Sequence, residues 1–200
     1  MVSTFADCNH MVSIKLTKQM KDFAWAVVRS RNFGLREQGG NGNLHQQYTG
    51  ILGETVVNLL ANGCLPSYNE FSITDLTING HRVDVKSMGR NVPFRDGFVH
   101  NFVAYQKEHP NDIYIFTSVN RKASAVEVCG WLTKPLFFER ASYYDKGSTR
   151  RRADGTSFET FAPLYEIDNR QLHPICNRQD IAKVGMGLSF NGQDCALLKR

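Results

Sequence analysis

The chain has 200 residues, 42% hydrophobic and 22% charged, with a formal net charge of +5. That size and balance bury a core without disulfide or metal staples, which excludes a disordered chain or a small cysteine-stapled scaffold. A mildly basic surface suits a polyanion such as nucleic acid, but many proteins carry surplus lysines, so charge alone does not establish one.

The five cysteines are odd in number and widely spaced, and no Cys-x-x-Cys pair occurs. A zinc ribbon and a thioredoxin-like motif are excluded, and reduced thiols in a cytoplasmic protein are expected. Residues 1–10 lack the basic-then-apolar order of a signal peptide. The longest apolar run, 23–28, is too short to span a bilayer, so no membrane partner is expected.

Taken in chain order, Met20, Phe23, Ala24, Val27 and Val28 recur at helical spacing and predict a helix over 18–30, capped by Thr17. Its lysines read as a solvated face in preference to a DNA contact. Gly39-Gly40-Asn41-Gly42 breaks the chain. Asn43 then stands three residues before Gln46, a capping-box variant, and predicts a helix over 44–61 ended by Gly63. Gly50 and Gly53 weaken that helix, which predicts a close neighbour on their side; Glu54 follows at once.

Short β-like runs come next, over 70–78 and 81–87, with a helix expected over 98–107. The segment 112–119 is apolar on both alternating faces and reads as a central strand, with another strand over 125–132. The expected class is α/β, with a central mixed sheet of four to five strands flanked by helices. All 200 residues are assigned to one domain. Its core covers about 44–134, with the helix at 17–31 and a less regular tail at 135–200 as additions. In that tail Lys146, Arg150, Arg151 and Arg152 are candidate nucleic-acid contacts, with a solvated flap as the equal alternative.

Asn79-Gly80 predicts a two-residue type I′ hairpin, because both residues tolerate positive φ. In that register Ile78 faces His81, Thr77 faces Arg82, Leu76 faces Val83, and Asp75 faces Asp84. Leu76, Ile78, Val83 and Val85 point to a core, while Asp75, Thr77, Arg82, Asp84 and Lys86 take the opposite face. Directly opposed carboxylates, with Cβ atoms roughly 4.5–5.5 Å apart, repel. They share a proton or hold a cation, and two hard oxygen ligands suit Mg²⁺ or Mn²⁺. Lys86 on the same face supplies the positive charge that phosphodiester cleavage needs, and Glu54 adds a third carboxylate if its helix packs over the hairpin. The plainer alternative is an exposed hairpin whose acids are neutralised by Arg82 and Lys86.

Glu54 in Gly53-Glu54-Thr55, Asp75 in Thr74-Asp75-Leu76, and Asp84-Val85-Lys86 together resemble the PD-(D/E)XK, or restriction-endonuclease-like, nuclease superfamily, in the style of small phage and bacterial members. The resemblance covers about 44–131. It implies a restriction-endonuclease-like core of helix, three-strand meander, helix and strand. It also implies that Asp75, Asp84, the backbone carbonyl of Val85, and Glu54 ligate Mg²⁺, and that Lys86 orients or activates the attacking water. A Gln on the following helix approaches the site in some branches, and Gln106 stands in a similar place. Thr74 replaces the Pro of the family name.

The activity so implied is a Mg²⁺-dependent deoxyribonuclease. The alternatives are a structure-selective, Holliday-junction resolvase-type endonuclease, which acts as a homodimer, and a non-catalytic nucleic-acid binding module of the same fold.

Overall fold

A computed structural model describes residues 11–31, 43–66, 74–151 and 155–186. The elements are β1 (Val12–Lys15), α1 (Lys18–Arg31), α2 (Leu44–Asn62), β2 (Leu76–Ile78), β3 (His81–Arg90), β4 (Val99–Val103), β5 (Ile113–Asn120), β6 (Ala125–Thr133), α3 (Lys134–Arg140), β7 (Ser142–Tyr144), β8 (Thr149–Arg151), β9 (Ser157–Glu159), β10 (Leu164–Asp168) and α4 (Arg178–Ala182).

The local signals for both long helices are found in place. Thr17 Oγ1 accepts from the Met20 amide, 3.2 Å, at the start of α1. Asn43 and Gln46 form a reciprocal capping box on α2, and Gly63 closes it in the left-handed conformation at φ 74°. Gly53 is the close approach that the two glycines foretold. A Cβ there would lie 2.0 Å from Ser87 Oγ and 2.6 Å from Thr117 Oγ1, so only hydrogen lets α2 settle onto the sheet.

That sheet has five strands in the order β1-β6-β5-β3-β2. β3 and β5 run parallel and the other neighbours antiparallel, so the sheet is mixed. β5 is buried along its whole length. Ile113 and Ile115 join Val83, Val85 and Val126 under α1 and α2 in one apolar cluster. Tyr114 and Phe116 join Phe102, Leu132, Phe137 and Ile167 in a second cluster on the opposite face. A strand packed on both sides favours apolar residues on both alternating faces, which is why no alternation shows over 113–116.

Three expectations are corrected. The helix expected over 98–107 is β4 followed by a 3-10 turn, Ala104–Glu108. Phe98 and Phe102 fit a helical stripe, but Phe98, His100 and Phe102 also fit a period of two, and the strand wins by pairing with β10. The tail is not irregular: β4, β10 and β7 form a second sheet, and β8 pairs with β9. Ile175, Ile181 and Val184 of the tail enter the first core, as does Val12 from the unforeseen β1. The cysteines also depart from expectation: Cys64 and Cys129 are free thiols, but Cys176 is disulfide-bonded. Of the run expected over 70–78, residues 70–73 lie outside the described residues, and no described helix is long and apolar enough to cross a membrane.

Candidate active site

The hairpin register is the one the Asn-Gly turn dictates: Ile78 pairs with His81, Thr77 with Arg82 and Leu76 with Val83. Asn79 and Gly80 adopt φ of 49° and 79°. The Asn79 side chain donates to the carbonyls of Ala182 and Val184, at 2.8 and 2.9 Å, which pins the turn to the last residues of α4 and those just after it. The ladder stops at Leu76, one step short of an Asp75–Asp84 pair. Asp75 instead donates its amide to the Val83 carbonyl, 3.1 Å, and turns its side chain into the ladder position that β2 has left.

That turn gives Asp75 a specific role at the sheet edge. Its Oδ2 accepts the Val85 amide at 2.6 Å. Amide and carbonyl of one strand residue face the same side, so the Val85 carbonyl opens onto the same edge. Asp84 lies on the face toward the second core and is almost fully buried. Lys86 Nζ sits 2.7 Å from its Oδ2. Asn111 also donates to Asp84 Oδ2, at 3.2 Å, and accepts from Thr74 Oγ1 at 2.9 Å. Among the described residues, the hydrogen bonds and ion pairs of both acids fall on Oδ2, leaving each Oδ1 for another ligand.

Lys86 is held from three sides. Besides Asp84, it donates to Gln106 Oε1 at 2.9 Å and lies 5.1 Å from the centre of the Phe102 ring. Gln106 therefore does reach the site, from the 3-10 turn after β4 instead of from a helix.

The charges are unbalanced. Asp75 is raised well above the usual carboxylate range, first by loss of hydration, then by the negative charges of Glu54 and Asp84; the Val85 amide and Lys86 oppose the shift. As a whole residue, Asp75 keeps part of its surface exposed. Both neighbouring acids thus act on Asp75, although Glu54 comes from α2 on the other face of the sheet. Tyr114, the register partner of Asp84 on β5, is pushed up by burial and by Asp84.

A divalent cation fits this donor set on chemical grounds. Glu54 and Asp84 both act on Asp75, and a hard cation would relieve that repulsion. Asp75, Asp84, the Val85 carbonyl and Glu54 are the groups that would hold it. No group of three or more His, Cys, Asp or Glu residues already spaced as a metal site occurs among the described residues.

Of the tail cations, Arg150 is committed elsewhere. Its Nε donates to Glu166 at 3.0 Å, and its guanidinium stacks 3.7 Å from the Tyr144 ring centre. Lys146 and Arg151 are exposed, and Arg152 lies outside the described residues. Asn111 is the site residue that sequence reasoning missed. It stood in a His-Pro-Asn stop, and no local pattern says that a stop residue folds back under an aspartate. Comparison with family models, with curated proteins and with solved structures finds no match to this chain.

Proposed function

We propose that this protein is a metal-dependent nuclease that hydrolyses phosphodiester bonds of DNA at Glu54, Asp75, Asp84 and Lys86. The observation that carries the reading is the crowding of Asp75 by Glu54 and Asp84 beside an ammonium held by Gln106. Buried like charges destabilise a fold, and a protein that keeps them has a use for a cation there. Mg²⁺ or Mn²⁺, when bound, supplies polarisation of the phosphate and a lowered pKa for water. The chain's own residues do the rest. Lys86 places a positive charge where negative charge develops on the phosphate oxygens. Gln106 and Phe102 keep its ammonium aimed, and Asn111 holds Asp84 in register.

A second reading, a non-catalytic nucleic-acid binding module, is favoured by one feature: the 2.7 Å Lys86–Asp84 pair already neutralises the buried acid. One experiment separates the two. Plasmid, linear and branched DNA are incubated with the protein in Mg²⁺ or EDTA. Cleavage that EDTA stops, and that Asp84→Ala and Lys86→Ala reduce by about 10²–10³-fold or more, supports the nuclease. An active Asp84→Ala protein rules it out, and DNA binding without any cleavage selects the module. A structure-selective enzyme of the resolvase type would cut the branched substrate preferentially and sediment as a homodimer.

A further inference from the structure

A cavity of about 650 Å³ lies away from the acidic site, between α1, the start of α2 and the β5–β6 turn. Its floor is apolar, formed by Leu16, Leu52 and Val119. Lys21 and Arg121 stand on its wall, with the rings of His45 and Tyr48 beside them.

Three features suggest a built site. The first is charge. Lys18 on α1 is paired with Asp22, whereas Lys21 and Arg121 have no ion pair among the described residues. The second is Arg121's placement. Its guanidinium lies against the backbone of Gly89, where a Cβ would come within 2.4 Å of Nη2, so β3 leaves room for that side chain at this position. The third is the ring wall. Tyr48 is stacked on Trp25, with ring centres 4.3 Å apart and planes 17° from parallel, and His45 packs edge-on against Trp25 at 5.8 Å. A preorganised ring wall costs little to use for stacking.

An apolar floor, a ring wall and two cations with no ion pair among the described residues match a ligand that is flat and apolar at one end and anionic at the other. A phosphate between Lys21 and Arg121 gains charge-assisted hydrogen bonds, and a planar base covers Leu16, Leu52 and Val119. We infer that this cavity is a second binding site, which takes a nucleotide with its base on the apolar floor and its 5′-phosphate at Lys21 and Arg121. The inference stands independently of cleavage, because it uses no residue of the acidic site.

Isothermal titration of the full chain in EDTA tests it, with dAMP, deoxyadenosine and inorganic phosphate as probes. The expected result is saturable dAMP binding, with deoxyadenosine and phosphate each weaker by about tenfold or more, the scale of one charge-assisted contact. The Lys21→Gln/Arg121→Gln double variant should lose that advantage of dAMP over deoxyadenosine, and Asp84→Ala should keep it. Circular dichroism checks that both variants remain folded; Lys21→Gln and Arg121→Gln made singly should each lose part of the advantage. Equal affinity for dAMP and deoxyadenosine, no dAMP binding, or loss in Asp84→Ala but not in the double variant would overturn the assignment. A protein that binds dAMP in this way but cleaves nothing keeps this site and loses the nuclease reading.

Discussion

Two ion pairs in this molecule look alike at first and differ in what surrounds them. Asp84 with Lys86, and Glu166 with Arg150, each set a nearly buried acid (8% and 6% side-chain exposure) against a partly covered cation (17% and 27%). Around Glu166 the charges close. Arg150 gives it two donors from one guanidinium, and Tyr144 covers the outer face. Around Asp84 they do not close, because Glu54 and Asp75 add two further acids to one ammonium. The first arrangement is complete as a piece of structure. The second carries surplus acid, which a proton held on Asp75 or a bound cation balances. Burial of a charge pair is thus no sign of function; the residue of unbalanced charge is.

The largest expected effect tests that contrast on activity. Lys86→Ala should cut Mg²⁺-dependent cleavage by about 10²–10³-fold or more, while Arg150→Gln should leave the cleavage rate of the folded fraction within about threefold. Equal losses would erase the distinction between the two pairs. Arg150→Ala leaves the Glu166 carboxylate buried without its cation and should cost about 3–5 kcal/mol in urea unfolding.

The second sheet also holds a buried neutral base, and its pH dependence sharpens the comparison. His100 is fully buried; its Nε2 lies 2.8 Å from Asn169 Oδ1, and burial lowers its pKa from 6.5 to about 4. Between those values the unfolded chain takes up a proton that the folded chain refuses. Stability from this group is therefore intact above pH 6.5 and lost as pH falls toward 4, on the order of 3 kcal/mol in full. His100→Gln should flatten that part of the wild-type profile, as read from urea midpoints at pH 7 and 4.5.

The smallest effect has the opposite sign. Asp75 is raised, so its folded form holds a proton that the unfolded form gives up, and stability falls as pH rises from the ordinary carboxylate range through the raised value. Asp75→Asn removes that charge while its amide oxygen still accepts from Val85. The variant should gain about 1 kcal/mol at neutral pH and lose cleavage together. A destabilised Asp75→Asn would mean that the carboxylate serves as an edge cap and is not strained by its neighbours.

Much of this was legible locally. The Asn79-Gly80 turn set the hairpin register, the Asn43–Gln46 box started α2, and Gly53 announced close packing. Each depends on contacts within a few residues or on the absence of a side chain. The strand β4 was not legible, because Phe98, His100 and Phe102 satisfy a period of two while Phe98, Phe102 and Tyr105 satisfy a helix, and only β10, some sixty residues on, decides between them. Neither Asn111 under Asp84 nor the capture of Arg150 by Glu166 could be read, since both partners meet only in three dimensions.

The sequence by itself determined that Asp84 and Lys86 share a strand face, because a period of two allows nothing else once His81–Arg90 is extended. It also determined that Asp75 stands next to them, because the turn is two residues long. Tertiary structure decided the rest. It ended the ladder at Leu76 and swung Asp75 onto the Val85 amide; it brought Glu54 close enough from the far side of the sheet to raise Asp75; and it fixed Lys86 between Asp84 and Gln106. Backbone geometry sets which way a side chain points, but hydration, charge and hydrogen-bond partners come from whatever else packs there.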